Sequence, residues 1–321
     1  MKTTFALLAA AAAALALATP VAAQQSVKLS IGTGGTGGVY YPMGGGLANI
    51  LSKHVPGWQA TAEVTGGSVD NLKLLGAGKS EIGFSMADAG LDALKGEDKF
   101  KGAPVPVRTL MVLYPNRMHV ATVEGGGINT LKDLKGKRVS TGSPGSATEV
   151  MAFRVIEAAG LDKDKDMTRE RLGAAESVTA VKDKKIDAFF WVGGLPTAAV
   201  TDLANTPGTK IKMIDTAEVV EAINKKYGDL YAKDTIAASV YAGMTKDNAV
   251  ATVWNILVVH KDMTDDVAYT IVKTIFDKKP EMVAVHKEAE SFNVATQAGR
   301  SPLPFHPGAV KFFAEKGVKV N

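Results

Sequence analysis

Four stretches of this sequence combine glycine with hydroxyl residues at spacings that suit the holding of an anion. Gly32-Thr33-Gly34-Gly35-Thr36-Gly37 satisfies G-x-G-x-x-G; TGGS follows at 65–68, GSPGSAT at 142–148 and, more loosely, WVGGLPT at 191–197. Glycine lets the backbone come close to a bound group, and Ser or Thr adds a hydroxyl donor. If each stretch joins a strand to the start of a helix, its N–H groups lack intrahelical partners and sit at the positive end of the helix dipole. Such a corner holds carboxylate or phosphate without a cationic side chain. One corner alone needs no more than a tight turn and a helix cap to explain it. Several of them, drawn from both halves of the chain, predict a shared ligand cleft.

Other chemistries find less support. A dinucleotide site would want an acidic residue near the end of the second strand, where Glu63 is the one candidate. The five histidines, His54, His119, His260, His286 and His306, are far apart and show no metal-ligand spacing, so each reads as a surface or loop residue. Ser143 and Ser146 do not sit in a G-x-S-x-G elbow, and no carboxylate pair stands out. No catalytic residue, metal or cofactor is expected.

The elements that would position these corners alternate. VKLSI (27–31), WQATAEV (58–64), EIGFS (81–85), KRVSTG (137–142) and KIDAFFWV (185–192) read as strands; four end in a small-residue turn and a helix start, and EIGFS leads into MADAGLDALK. RTLMVLY and HVATV read as two further apolar runs. Gly160 stands where a helix C-terminal glycine belongs. Alternation of this kind predicts an α/β fold with parallel sheets and helices on both faces. The ligand crevice of such a sheet lies beyond the carboxyl ends of its strands.

The start of the chain reads as an export signal. Met1-Lys2 precede FALLAAAAAALALA, and Val21-Ala22-Ala23 supplies small residues for cleavage before Gln24. The apolar run is shorter than the ~20 residues a bilayer needs. With no cysteine in the chain there is no disulfide framework, thiol chemistry or lipid anchor after the signal. The net charge of +4 is spread among acidic residues, as in LDKDKDMTRER (161–171). That run reads as a solvated face and not as a nucleic-acid patch. The length predicts two lobes.

GTGGTGGVYYPMGGGLA, TGGSVDNLKLL, VLYPNRMHV, LKDLKGKRVSTGSPGSAT, IDAFFWVGGLPT and the closing LPFHPGAVKFF together resemble the TAXI class of substrate-binding proteins. These serve tripartite ATP-independent periplasmic (TRAP) transporters, and the resemblance spans the chain after its signal. It implies a type II periplasmic-binding-protein fold, with two α/β lobes hinged by crossover strands and the ligand between them. It also implies a small organic anion as ligand, such as glutamate, 2-oxoglutarate or another C4–C5 dicarboxylate, and a TRAP permease as partner. One departure stands out. Where the family often reads Gln-Ser-Asp, this chain has Met86-Ala87-Asp88, so a hydrogen-bonding amide is replaced by a thioether.

The resulting expectation is a monomeric periplasmic solute receptor. Residues 1–23 are the signal, 24–122 and 252–321 form lobe one, and 123–251 form lobe two. HVAT (119–122) is one crossover strand, and VWNILVV (253–259) supplies the return. The expected ligand-binding residues are Thr36, Gly37, Gly38 and Tyr40 from the first corner and Ser68 from the second. Met86 and Tyr114 come from strand ends, Ser143, Gly145, Ser146 and Thr148 from the third corner, and Trp191 and Gly194 from the fourth. Of the neighbours Tyr40 and Tyr41, one faces the ligand and the other packs. An exported ligand sensor, or an exported enzyme on the same scaffold, is the alternative.

Overall fold

The computed structural model describes residues 26–321; residues 1–23, expected to be an export signal, lie outside the described residues. Six βα units account for most of the chain. β1 (Val27–Gly32) leads to α1 (Tyr40–His54), β2 (Trp58–Glu63) to α2 (Ser68–Gly76) and β3 (Ile82–Met86) to α3 (Ala87–Lys95). After the long strand β4 (Val107–Val123), β5 (Arg138–Ser140) leads to α4 (Ala147–Ala158) and β6 (Thr168–Glu170) to α5 (Ala174–Lys182). β7 (Ala188–Gly193) leads to α6 (Ala198–Ala204). β8 (Ile211–Met213), α7 (Val220–Tyr227), β9 (Ala232–Ile236) and β10 (Asn248–His260) follow. The chain closes with α8 (Asp265–Asp277), α9 (Lys279–Val285) and α10 (Pro307–Glu315).

The local signals behind these elements are plain. β3 is buried along its whole length, as an apolar strand covered on both faces must be. α4 opens at Ser146, whose side chain accepts the Glu149 N–H at 3.1 Å. It closes before Gly160, where φ is +79° and the N–H reaches back to the Glu157 carbonyl. His306 caps α10, and Pro307 holds the first helical position.

The strands form one sheet in the order β2-β1-β3-β10-β4-β7-β5-β6, with β8 added to β4 and β9 to β10. β1 pairs in parallel with β2 and β3, and β5 with β6 and β7. The sheet is not parallel throughout. β10 runs antiparallel to β3 and β4, and β4 antiparallel to β7. Alternating βα units reveal the two parallel groups but not the strands between them, whose partners are remote in sequence.

RTLMVLY and HVATV, read as separate runs, are one strand of 17 residues. β4 pairs with β10 from Val107 to Arg117, then with β7 from Arg117 to Thr122. Pro115 lies inside it. The register with β10 shifts there, Trp254 facing Pro115 while Ile256 faces Val112. This is a β-bulge, and a residue without an N–H is tolerated at such a place.

Charged groups are buried where α3 meets α4. Arg154 reaches Asp92 at 2.5 Å and Tyr231 at 2.7 Å, and the Tyr231 hydroxyl donates to Asp88 at 2.6 Å. All four residues are buried. Burial pushes the Asp92 carboxyl up to about 6, against the pull of Arg154. Removing one member of such a pair leaves the other uncompensated. Arg154→Met is expected to lower stability by about 3–5 kcal/mol, measured by urea unfolding; a loss under about 1 kcal/mol would show that the carboxylates need no cation.

Candidate functional site

The two parallel groups end in turns that surround one cavity of about 370 Å³. From the turn after β1 come Gly34, Gly35, Thr36, Gly37, Gly38 and Val39, and from the turn after β2 come residues 64–67. Ser143, Pro144, Ser146 and Ala147 enter after β5, and Leu172, Gly173, Ala174 and Ala175 after β6. The N-termini of α1, α2, α4 and α5 therefore all meet the same space. Each brings backbone N–H groups that its own helix cannot satisfy, and a share of positive charge of about half a unit.

Side chains make the remainder of the wall. Tyr40, Met86, Tyr114, Trp191 and Val192 are the large apolar contributors, and Ser68, Asn116 and Thr148 are polar. Ser68, Met86, Tyr114 and Asn116 are buried and form the floor, whereas Thr36, Pro144, Arg171 and Glu176 are exposed at the rim. Ser68 is fixed in place, since its Oγ accepts the Met86 N–H at 3.1 Å. The Tyr40 hydroxyl donates to Asn255 Oδ1, which also accepts from Asn116 Nδ2 at 2.6 Å. Burial pushes the Tyr40 and Tyr114 hydroxyls above their usual range, so both stay protonated.

Trp191 is held at its outer edge. Its Nε1–H donates to Thr197 Oγ1 at 2.9 Å, and the Thr197 N–H donates to the Tyr241 hydroxyl at 3.0 Å. The Arg117 carbonyl accepts from His119 Nδ1–H at 2.9 Å, so Nε2 of the neutral ring accepts the Tyr241 proton, 3.0 Å away. The imidazole is thus fixed as one neutral tautomer, and burial lowers its pKa to about 4.

Most of the expected ligand residues meet at this cavity. Thr36, Gly37, Gly38, Tyr40, Ser68, Met86, Tyr114, Ser143, Ser146, Thr148 and Trp191 line it. Tyr40 faces inward and Tyr41 is 36% exposed. Gly145 and Gly194 do not line it, and both are explained by packing. At Gly145, with φ +76°, a Cβ would stand 2.2 Å from the Asp70 carboxylate, and the Gly145 carbonyl accepts the Asp70 N–H. At Gly194 a Cβ would fall 2.7 Å from Glu288 Cγ and 2.8 Å from Tyr114 Cε2.

The structure adds to the sequence reading at four residues. Arg171, placed on a solvated face, reaches the rim and forks onto Glu149 at 2.6 and 3.2 Å. Asp88 does not line the cavity but belongs to the Arg154 cluster. His119 is buried inside β4, neither at the surface nor in a loop, and His306 is a loop residue, buried as the cap of α10. Two wall segments went unread. The turn after β6 has no hydroxyl to mark it, although Leu172-Gly173-Ala174-Ala175 shows the small residues of a close approach. Asn116 lies inside a long strand, where nothing local points to a ligand.

With the cavity built from these elements, likeness to other proteins has a frame. Residues 31–317 match the NMT1-like family. The chain belongs to that family. In architecture it is similar to a protein described as a periplasmic transporter, with a TM-score of 0.55, 15% identity, and 92% of this chain and 93% of the other covered. A protein from Bordetella bronchiseptica RB50 gives a TM-score of 0.54 at 18% identity, covering 90% and 89%. The periplasmic aliphatic sulphonate binding protein SsuA from Escherichia coli gives 0.47 at 13%, covering 90% of each. This NMT1-like chain therefore shares the mixed α/β fold of the first two of these structures.

Two tests address the site's construction. A Cβ on Gly38 would lie 2.7 Å from Trp191 Cη2. Gly38→Val is expected to cost about 1–3 kcal/mol and to shift Trp191 emission in a background with Trp58 and Trp254 replaced by Phe; an unmoved spectrum would refute the contact. For His119, the folded state favours the neutral ring, so its stabilisation is full above pH about 6.5 and is lost as pH falls toward about 4. Across that window the wild type is expected to lose about 3 kcal/mol more than His119→Gln, measured by denaturant unfolding at each pH; parallel curves would contradict the assignment.

Proposed function

We propose that this protein is an exported receptor that captures a small organic anion in the periplasm and delivers it to a transporter. The observation that carries this reading is the meeting of four helix N-termini at one cavity whose floor holds no cationic side chain among the described residues. Of the residues lining the cavity, the cation is Arg171, at the rim and already engaged by Glu149. Negative charge is therefore matched by peptide N–H groups, and the aromatic and aliphatic walls accept a carbon skeleton.

The lobe division proposed is 24–122 with 252–321 against 123–251, hinged where β4 and β10 pass between the parallel groups. Hydrogen bonds between turns of the two groups support it. Asp70 N–H donates to Gly145 O at 3.0 Å, Ser143 Oγ to Gly66 O at 3.0 Å, and Ala199 N–H to Gly37 O at 3.2 Å. Contacts of this kind are expected where two lobes close on one another. The likeness to TAXI proteins supports a TRAP permease as the partner and C4–C5 acids, glutamate and 2-oxoglutarate among them, as first candidates. The expected ligand residues lining the cavity are proposed as the binding set, to which Asn116 and the 173–175 turn are added.

A thermal-shift panel of small aliphatic and aromatic acids on the chain from residue 24 tests the reading. A ligand at 100 times its Kd is expected to add about 2.7 kcal/mol to stability. A panel in which no organic anion raises Tm would end the proposal.

A further inference from the structure

We infer that the ligand carries its negative charge at one end only and presents an uncharged hydrogen-bonding group, a hydroxyl or amide, to Tyr114 and Asn116 on the cavity floor. This rests on the small-anion reading above and departs from its dicarboxylate candidates, glutamate and 2-oxoglutarate, in favour of an acid with a single charge.

Two polar groups on the floor are incomplete. Tyr114 is 0% exposed and lines the cavity, and its hydroxyl has no hydrogen-bond partner. Asn116 is 1% exposed; one end of its amide is bound to Asn255, and the other has no partner. Buried polar groups without partners are rare and costly. Both lie by the β4 bulge, on either side of Pro115, and the Asn116 side chain reaches that of Asn255 on β10. Neighbouring polar groups have partners: Ser68 binds Met86 N–H, and Tyr40 binds Asn255.

The charge on this neighbouring group is limited by what surrounds it. Glu288 packs against the same glycine as Tyr114, since a Cβ on Gly194 would touch both. Glu288 is buried and accepts the Leu195 N–H at 2.5 Å. Arg117, next to Asn116 in sequence, is committed to Asp234 at 2.8 Å and Glu288 at 3.4 Å, and does not line the cavity. A second carboxylate on the floor would be stripped of water beside a like charge with no cation to meet it, which is unfavourable. A hydroxyl or amide meets the same two groups without that cost. The single carboxylate then goes to the helix N-termini.

The test is calorimetric titration with five C5 compounds of matched length: pentanoate, 5-hydroxypentanoate, the monoamide glutaramate, glutarate and the uncharged diamide. The hydroxy acid or the monoamide is expected to bind at least tenfold more tightly than pentanoate, glutarate and the diamide. In Tyr114→Phe the advantage over pentanoate is expected to fall at least fivefold, while Tm of the unliganded protein does not drop. Glutarate or pentanoate binding as tightly as the best of the series would overturn the inference and leave the small-anion reading intact. The same holds if none of the five binds although another acid of the wider panel does. If no acid of either set binds, the parent reading fails and this one with it.

Discussion

The cavity depends on the pairing of β4 with β10. Each parallel group can aim its own helix N-termini past its own strand ends, but nothing within a group fixes it relative to the other. β4 continues from β10 into β7, and β10 continues from β3 into β9. These backbone ladders hold the β1–β3 corners facing the β5–β6 corners. The arrangement is set by hydrogen bonds that any sequence makes, and the side chains decide only what lines the space between.

Small residues set how near the opposing turns come. Gly37 would place a Cβ 3.0 Å from that of Ala175, and Gly38 meets the edge of Trp191. Gly66 would drive a Cβ to 2.3 Å from the Pro144 carbonyl. Larger residues here would hold the corners apart and separate the N–H groups that must act on one ligand. Distance matters because a helix terminus acts over little more than its first turn.

The sequence made the corners legible because glycine, serine and threonine announce close approach and capping over a few residues. What it concealed was nonlocal. Gly145 and Gly194 look like members of the same set, yet they are required by Asp70 and by Glu288 with Tyr114, contacts that no local pattern contains. The corner after β6 performs the same task with alanines and so escaped a search for hydroxyls. Antiparallel β4 and β10 were hidden for a related reason: an apolar strand looks the same whichever way its neighbour runs. His119 reads as an isolated polar residue until Tyr241, far along the chain, gives its ring a partner. The lobe boundaries and the ligand roles stand as proposals.

The bulge in β4 joins fold to recognition. Pro115 has no N–H to give to β10, so the ladder is already irregular at that point, and the register shift there accommodates an extra residue. The shift falls in the segment that carries Tyr114 and Asn116, whose amide reaches Asn255. Leaving the Tyr114 hydroxyl unmatched costs about 1–3 kcal/mol, a cost that a phenylalanine would avoid without loss of volume. Packing therefore gives no reason for the hydroxyl. A partner that arrives from the cavity does, and the free energy withheld in folding is returned when that partner binds.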